Sequence, residues 1–315
     1  MMLDTSLLRN IRTIVAHDSC ADGTGSAIFL KDAFPGAEVV FVQYGTKAYL
    51  ELPAMEGIIF CDIAPPAHRV KEFVDSGAIV LDHHKTAKSV IEQFGERGIY
   101  SDESIDPGVS GTVLAYRHVW KPLREASYSP TIQNWALRFS TLCGVPDTWQ
   151  RNHPEWQKSS ELNHLLFFMS NTEWMKVSLH WLATEWDRTY DWIGAVLSTK
   201  HSKAVLKSIK KAGRYSSDRG TRILMMNSTS HTSDASELLG KEFDLIVGFG
   251  YDVEEGVERL ILSTRTFGDY DCAAFAKSLG GGGHTKAAGC SVLVNDQESP
   301  YKTILRVVNQ FESNG

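Results

Sequence analysis

Residues 78–84 read AIVLDHH, an apolar run that ends at an aspartate and two histidines. Three comparable runs precede it, at 13–16 (TIVA), 39–42 (VVFV) and 58–61 (IIFC). Short runs of β-branched and apolar residues predict strands, and the segments between these runs are long enough for crossover helices. Near-continuous apolar strands are typical of a parallel sheet that is covered on both faces. The sequence therefore predicts an α/β fold that begins with a parallel sheet.

Polar residues follow three of these runs directly. The segment 17–23 (HDSCADG) follows the first run, Asp62 follows the third, and residues 82–84 (DHH) end the fourth. In an open α/β sheet, ligands bind in the crevice at the carboxyl ends of the strands. We therefore expect these side chains to converge at one edge of the sheet.

The residue types at this edge are those of a metal site. Imidazole nitrogens and carboxylate oxygens are ligands for Mn²⁺, Zn²⁺ or Fe²⁺. Two adjacent histidines at a strand end point in different directions, so one can bind a metal while the other faces a substrate. On its own, the pair is more typical of surface or hydrogen-bonded histidines than of a metal site. Convergence with His17, Asp22 and Asp62 favours a metal, because carboxylates in one cleft repel one another unless a cation compensates their charge.

Length and charge limit the classes of function. The 315 residues carry 32 Lys and Arg against 38 Asp and Glu, a formal net charge of −6. This length is about twice that of a usual domain and predicts two domains. A mildly acidic chain has no overall positive field with which to hold long duplex nucleic acid. We therefore expect no such partner, and we expect any anionic substrate to be held locally.

Hydropathy and cysteine usage indicate the compartment. The longest apolar runs, such as 165–169 (LLFFM), are far shorter than the roughly 18–20 residues that a membrane helix requires. The five cysteines are scattered and form no C-x-x-C pair, which fits a reducing compartment. We expect a cytoplasmic protein with no membrane partner.

A change of pattern along the chain suggests where the domains divide. Residues 111–210 have a helical pattern and contain all eight tryptophans, which we interpret mainly as core residues, with base stacking as the alternative. The stretch 200–222 holds eight Lys or Arg and one Asp, as in a linker or an exposed helix end. The predicted organisation is a first domain at 1–200, a linker at 201–215 and a second domain at 216–315.

The second domain is predicted to be a smaller, mixed α/β domain. Its pattern indicates strands at 222–226, 245–248, 260–263 and 290–294 and a helix at 271–279.

Two further features carry chemistry only in context. The run Gly280–Gly283 precedes His284 and could form an anion site, because a backbone without side chains can approach an anion closely. Arg265 and Lys286 would add positive charge there. A mobile glycine loop is the alternative.

Asp147 lies in a turn-like segment and, taken alone, would be a turn residue or a helix cap.

Taken together, the motifs resemble, in order and spacing, the DHH phosphoesterase superfamily with its DHH-associated C-terminal domain. The resemblance rests on His17, Asp22-Gly23, Asp62, Asp82-His83-His84, Asp147 and the C-terminal Gly-Gly-Gly-His with Ala287-Ala288-Gly289. It spans nearly the whole chain. It implies Mn²⁺-dependent hydrolysis of phosphodiester or phosphoanhydride bonds, with the active site in the cleft between the two domains.

The resemblance also implies a role for each matching residue. The implied metal ligands are His17, Asp22, Asp62, His83 and Asp147, with Asp62 bridging two ions. Asp82 would orient the histidines as a catalytic-site carboxylate, and His84 would face the scissile phosphate. The implied substrate-binding residues are Arg265, Gly281, Gly282, Gly283 and His284. The metal ions would activate a water for in-line attack on phosphorus.

One position departs from the family pattern. Cys20 stands where the family has the first acid of this motif, so the first metal site lacks a carboxylate. Because Mn²⁺ prefers oxygen and imidazole ligands, we expect Cys20 to contribute little to metal binding.

The function favoured by these observations is a phosphodiesterase that hydrolyses short linear oligonucleotides, such as pGpG, to mononucleotides. Its cofactor would be one or two Mn²⁺ ions, with Mg²⁺ or Co²⁺ as substitutes. The alternatives are an exopolyphosphatase or pyrophosphatase, a single-strand exonuclease, and a non-catalytic nucleotide-binding regulator. The expected partner is a short oligonucleotide or another phosphate ester, and a homodimer is one assembly left open.

Overall fold

The chain divides into two compact units, Met1–Ser198 and Thr199–Gly315. The structure is a computed structural model that describes residues 2–18, 20–148, 150–166, 168–184, 188–254, 257–294 and 297–314. Residues 201–215, which we predict to be a linker, are helical up to Lys211 and enter a strand at Gly213.

The first unit is built on a parallel sheet, as predicted. Its strands, counted among the described residues, are β1 (Thr13–His17), β2 (Glu38–Val42), β3 (Ile58–Cys61), β4 (Ile79–Asp82) and β5 (Gly98–Tyr100). Their order across the sheet is β2-β1-β3-β4-β5, and every pairing is parallel. Strands β1, β3 and β4 are therefore neighbours, so their carboxyl ends lie side by side.

The burial of these strands explains their unbroken apolar sequence. Successive side chains of a strand point to opposite faces of the sheet. Ile59 and Cys61 of β3 pack into a core on one face, whereas Ile58 and Phe60 pack into a second core on the other face. Because both faces are covered, an apolar residue is required at every position rather than at alternate ones.

The first four α-helices lie between the strands of this sheet in sequence, and the remaining helices of the unit follow its last strand. In the first unit they are α1 (Ala21–Ala33), α2 (Lys47–Leu50), α3 (Val70–Asp75), α4 (Lys88–Ile91), α5 (Gly111–Ala115), α6 (Lys121–Arg124), α7 (Pro130–Asp147), α8 (Trp156–Leu166) and α9 (Asn171–Thr184). A long helix, α10, spans Arg188–Lys211. Short 3₁₀ segments occupy Thr5–Leu8, Ala67–Arg69, Lys85–Ala87, Glu92–Arg97 and Glu125–Ser127, and a π-helix spans Tyr116–Trp120. Within the described ranges, every helix is too short or too polar to cross a lipid bilayer.

Three of the tryptophans lie where the core interpretation places them. Trp120, Trp135 and Trp174 are buried in the core of the first unit, together with Phe139. Trp192 is exposed. Trp149 and the side chains of Trp181 and Trp186 lie outside the described residues.

The second unit is a mixed sheet with helices on both faces. Its strands are β6 (Gly213–Ser216), β7 (Arg222–Met226), β8 (Leu245–Glu254), β9 (Val257–Arg265), β10 (Gly282–His284) and β11 (Ala287–Leu293). The order is β10-β11-β9-β8-β7-β6, and β7 with β8 is the parallel pair in this part of the structure. The helices are α11 (Thr232–Leu239), α12 (Cys272–Ser278) and α13 (Pro300–Asn314). The predicted mixed α/β character of this part is confirmed.

Candidate active site

The sheet order brings the predicted site residues together. His17 ends β1, Asp62 follows β3, and Asp82 ends β4. The next two residues after β4 are His83 and His84, both of which are half-buried. Parallel neighbours end at the same edge of a sheet, so the three loops meet there.

The Nε2 atom of His83 lies among three carboxylates. It is 3.1 Å from Asp62 Oδ1, 3.3 Å from Asp147 Oδ2 and 3.5 Å from Asp22 Oδ2. Asp147 reaches this position because it is the last residue of α7. Four predicted ligands from four separate chain segments are thus brought together, with three carboxylates around His83 Nε2.

Asp22 is held rigidly at this point. It lies in the first turn of α1 and is completely buried. The backbone N–H groups of Gly111 and Thr112 donate to its two carboxylate oxygens at 2.6 and 2.8 Å. These donors are the first N–H groups of α5, which have no partner within their own helix and favour a negative charge.

Asp62 is held by an unusual backbone. Its φ is 61°, and it is the one non-glycine residue of the described chain with a positive φ. Gly111 packs directly against it, because a Cβ built on Gly111 would lie 2.4 Å from Asp62 Cβ and 2.8 Å from Asp62 Oδ1. A strained residue that the surroundings hold in place is a common feature of functional sites.

Asp82 orients both histidines. Its Oδ1 accepts hydrogen bonds from the backbone N–H groups of His83 and His84 at 2.7 and 3.0 Å, and from His84 Nδ1 at 2.7 Å. Tyr44 donates its hydroxyl to Asp82 Oδ2 at 3.4 Å. Burial lowers the pKa of His84, but the charge of Asp82 outweighs burial and raises this pKa to about 9.

His17 and Cys20 form the other side of the site. His17 Nε2 is 3.0 Å from Gln43 Oε1, and Gln43 in turn donates its amide to the carbonyl of Asp18 at 2.7 Å. His17 Nδ1 therefore faces inward, 3.6 Å from Asp62 Oδ2 and 3.4 Å from Cys20 Sγ.

The electrostatics of the His83 cluster favour a cation among its carboxylates. Burial and the neighbouring Asp62 carboxylate raise the pKa of Asp22 to about 7. Burial lowers the pKa of His83, but hydrogen bonds to Asp147 and Asp62 outweigh it and raise that pKa to about 12. Crowded carboxylates repel one another, and a positive charge in their midst relieves the repulsion. The donor set therefore fits a divalent metal ion, which would supply the charge that a protonated His83 supplies here.

Among the described residues, three sets of ligand atoms lie within 4.8 Å of one another and could hold an ion. They are Asp62, Asp82, His83 and His84; His17, Cys20 and Asp62; and Asp22, His83 and Asp147. Asp62 and His83 each belong to two of the sets, and of the two Asp62 has a carboxylate whose two oxygens could contact separate ions.

Comparison with known proteins adds independent information. No family model matches the chain. The chain is 27% identical over 295 residues to the oligoribonuclease NrnB of Bacillus subtilis (strain 168), covering 86% of this chain and 70% of NrnB. Among solved structures, a DHH domain from a protein described as a member of a ribosomal-protein family matches with a TM-score of 0.58 and 13% identity, over 98% of this chain and 87% of that one.

The chain has the fold of the DHH proteins. Two more structures agree with this DHH fold. The pGpG-specific phosphodiesterase PggH from Vibrio cholerae matches with a TM-score of 0.57 and 15% identity, over 96% of this chain and 100% of PggH. RecJ from Thermus thermophilus in complex with Mn²⁺ matches with a TM-score of 0.53 and 14% identity, over 98% of this chain and 53% of RecJ.

The residues predicted to bind substrate lie in the second unit. Gly282 and Gly283 belong to β10, whereas Gly280 and Gly281 precede the strand, so only the second half of the glycine run is a strand. A Cβ on Gly281 would lie 2.2 Å from the carbonyl oxygen of Gly289, so only glycine allows the two chain segments to approach this closely. The side chain of His284 lies outside the described residues.

Arg265 is the last residue of β9. Its guanidinium donates to Ser233 Oγ at 3.1 Å and to the carbonyl of Thr264 at 2.8 Å, and burial lowers its pKa. The role of Arg265 in substrate binding stays a prediction.

Proposed function

We propose that this protein is a metal-dependent phosphodiesterase that hydrolyses short linear oligonucleotides, such as dinucleotides, to mononucleotides. The observation that carries the proposal is the convergence of three carboxylates on His83 Nε2 at the carboxyl edge of a DHH sheet. The similarity to an oligoribonuclease and to a pGpG-specific phosphodiesterase supports the substrate class.

The proposed metal ligands are His17, Asp22, Asp62, His83 and Asp147. Oxygen and imidazole donors suit Mn²⁺, and the Mn²⁺ bound to the similarly folded RecJ supports this choice. When bound, the ions would lower the pKa of a water and neutralise charge on the phosphoryl oxygens.

His84 is proposed to contact the scissile phosphate. Its Nδ1 donates to Asp82, which fixes the ring and leaves Nε2 as the nitrogen that faces a ligand. The charge of Asp82 raises the pKa of His84 and so favours its protonated form, in which Nε2–H can donate to a phosphoryl oxygen. Asp82 thereby acts through His84 as a positioning residue.

Substrate length provides the direct test of this function. With Mn²⁺ present, we expect mononucleotide release from pGpG and similar dinucleotides to be fastest and to fall steadily towards oligomers of about ten nucleotides, because the acidic chain has no field to hold a long polymer. The measurement compares initial rates at fixed salt across RNA and DNA oligomers, cyclic dinucleotides, pyrophosphate and polyphosphate. Equal or faster processive degradation of long single strands would instead indicate an exonuclease, and preferred release of inorganic phosphate would indicate a polyphosphatase.

Arg265 provides a second test, directed at binding rather than chemistry. We expect Arg265→Met to raise the KM for a dinucleotide by about tenfold, the size of one charge-assisted contact to phosphate. Steady-state kinetics on this variant and on Arg259→Met, a control on the same strand β9, would measure the effect. If both variants had the same KM as the parent, Arg265 would not belong to the substrate site.

A further inference from the structure

The sulfur of Cys20 lies beside two of the proposed metal ligands, His17 and Asp62. Cys20 Sγ lies 3.4 Å from His17 Nδ1 and 3.3 Å from Asp62 Oδ2. His17 Nδ1 and Asp62 Oδ2 are themselves 3.6 Å apart. Ordinary zinc–sulfur, zinc–nitrogen and zinc–oxygen bond lengths in a tetrahedral site place such ligand atoms about 3.4–3.6 Å apart. The observed separations agree with these values to within about 0.3 Å, so the three atoms could surround one ion.

Neighbouring groups hold two of the three ligand atoms in place. Cys20 is the N-cap of α1, and its sulfur accepts from the N–H of Gly23 at 3.0 Å. Burial and the neighbouring carboxylates raise the pKa of the Cys20 thiol well above its usual value, whereas the N–H of Gly23 lowers it. The thiol therefore loses its proton only as a cation binds. The Gln43 carbonyl accepts from His17 Nε2, which leaves His17 Nδ1 with the lone pair that a metal requires.

We propose that Cys20 is a metal ligand and that His17, Cys20 and Asp62 form a site that takes a thiophilic divalent cation, Co²⁺ or Zn²⁺, in preference to Mg²⁺. Thiolate ligands select such ions, whereas an oxygen-rich site suits Mn²⁺ and Mg²⁺. Asp22, His83 and Asp147 would form that second, harder site, with Asp62 shared between the two. This inference rests on the proposed function, since it concerns the same metal centre, and it reverses the minor role that the sequence predicts for Cys20.

Binding has a defined proton balance. The Cys20 thiol gives up its proton to solvent as the sulfur–metal bond forms, so each ion bound at this site releases one proton. Neither sulfur nor metal changes its oxidation state.

The test is spectroscopic and uses the full chain, freed of metal and titrated with Co²⁺ alone. The parent protein should show the near-ultraviolet charge-transfer band of thiolate-bound Co²⁺ and should release a proton on binding. Cys20→Ser should lose the band. Removal of a group that only supports a metal ligand typically lowers metal affinity by roughly 10- to 100-fold, so the loss of a ligand itself should lower the Co²⁺ affinity by at least that much. Cys290→Ser, a buried cysteine of the second unit, should keep both the band and the affinity.

A second variant covers the case in which Cys20→Ser does not fold. Cys20→Asp should shift the metal preference of the site from Co²⁺ towards Mg²⁺. This variant should bind Mg²⁺ more tightly than the parent does, and its Co²⁺ complex should lack the charge-transfer band. Absence of the band from the parent protein at saturating Co²⁺, or an unchanged band in a folded Cys20 variant, would overturn the proposal. Neither result depends on hydrolysis, so a protein that shows the band but cleaves no oligonucleotide would overturn the proposed function alone.

Discussion

Replacing Asp62 with asparagine is expected to lower Mn²⁺-dependent hydrolysis of a dinucleotide by about a thousandfold or more. Asp62 belongs to two sets of ligand atoms, with Oδ1 3.1 Å from His83 and Oδ2 facing His17 and Cys20. Asparagine keeps the size of the side chain but removes the charge that would balance two cations. Removal of one neutral hydrogen-bond donor that stabilises charge at a reacting centre lowers the rate on the order of 10²- to 10³-fold. Removal of the charge of a ligand shared by two metal ions should lower the rate further.

The measurement combines kcat/KM with a calorimetric titration of Mn²⁺. The parent protein should be stabilised against heat by Mn²⁺, because a ligand that binds only the folded state raises the free energy of unfolding, whereas Asp62→Asn should show little such shift. Asp75→Asn, which alters an exposed aspartate paired with Lys71, is the control and should retain activity and the Mn²⁺-dependent stabilisation. Near-normal turnover in Asp62→Asn would remove this residue, and with it the proposed centre, from the mechanism.

The parallel sheet was predictable because its strands are buried on both faces. The predicted strand at 58–61 matches β3 residue for residue, since each of its side chains enters one of two cores. The pattern failed where burial is one-sided or the segment is short. Helix α13 was not predicted, although its apolar residues Ile304, Val307, Val308 and Phe311 recur at helical spacing along one face, and β10 consists of two glycines and a histidine that carry no apolar signal.

The site was predictable only in its charged residues. Aspartates and histidines at strand ends have few other reasons to cluster, so their types and order indicated the edge where they meet. Gln43 and Tyr44 carry no such signal, because their contacts with His17 and Asp82 depend on how β2 lies beside β1. The importance of Gly111 likewise follows from a backbone approach that no local pattern encodes.

Gly111→Ala should therefore have an effect that its small size does not suggest. The added methyl would lie 2.4 Å from Asp62 Cβ, which is closer than non-bonded carbon atoms approach, so one of the two segments must move. Asp62 has little freedom to yield, because its φ of 61° already lies in the left-handed region. Movement of Gly111 instead would weaken the 2.6 Å hydrogen bond from its N–H to Asp22. Either response displaces a proposed metal ligand.

We expect Gly111→Ala to lose about 100-fold or more in kcat/KM, since a displacement of about 1 Å at a reacting centre has that effect, and to lose about 1–3 kcal/mol of folding stability through overpacking. Kinetics, Mn²⁺ titration and thermal unfolding would separate the two losses. Gly36→Ala is the matched control, because a Cβ at Gly36 meets no atom within 4 Å. If Gly111→Ala kept normal Mn²⁺ affinity and turnover while losing stability, the contact would be purely structural. Loss of Mn²⁺ affinity in a folded Gly111→Ala protein would instead show that the closeness of α5 to the loop after β3 is what holds the metal ligands in place.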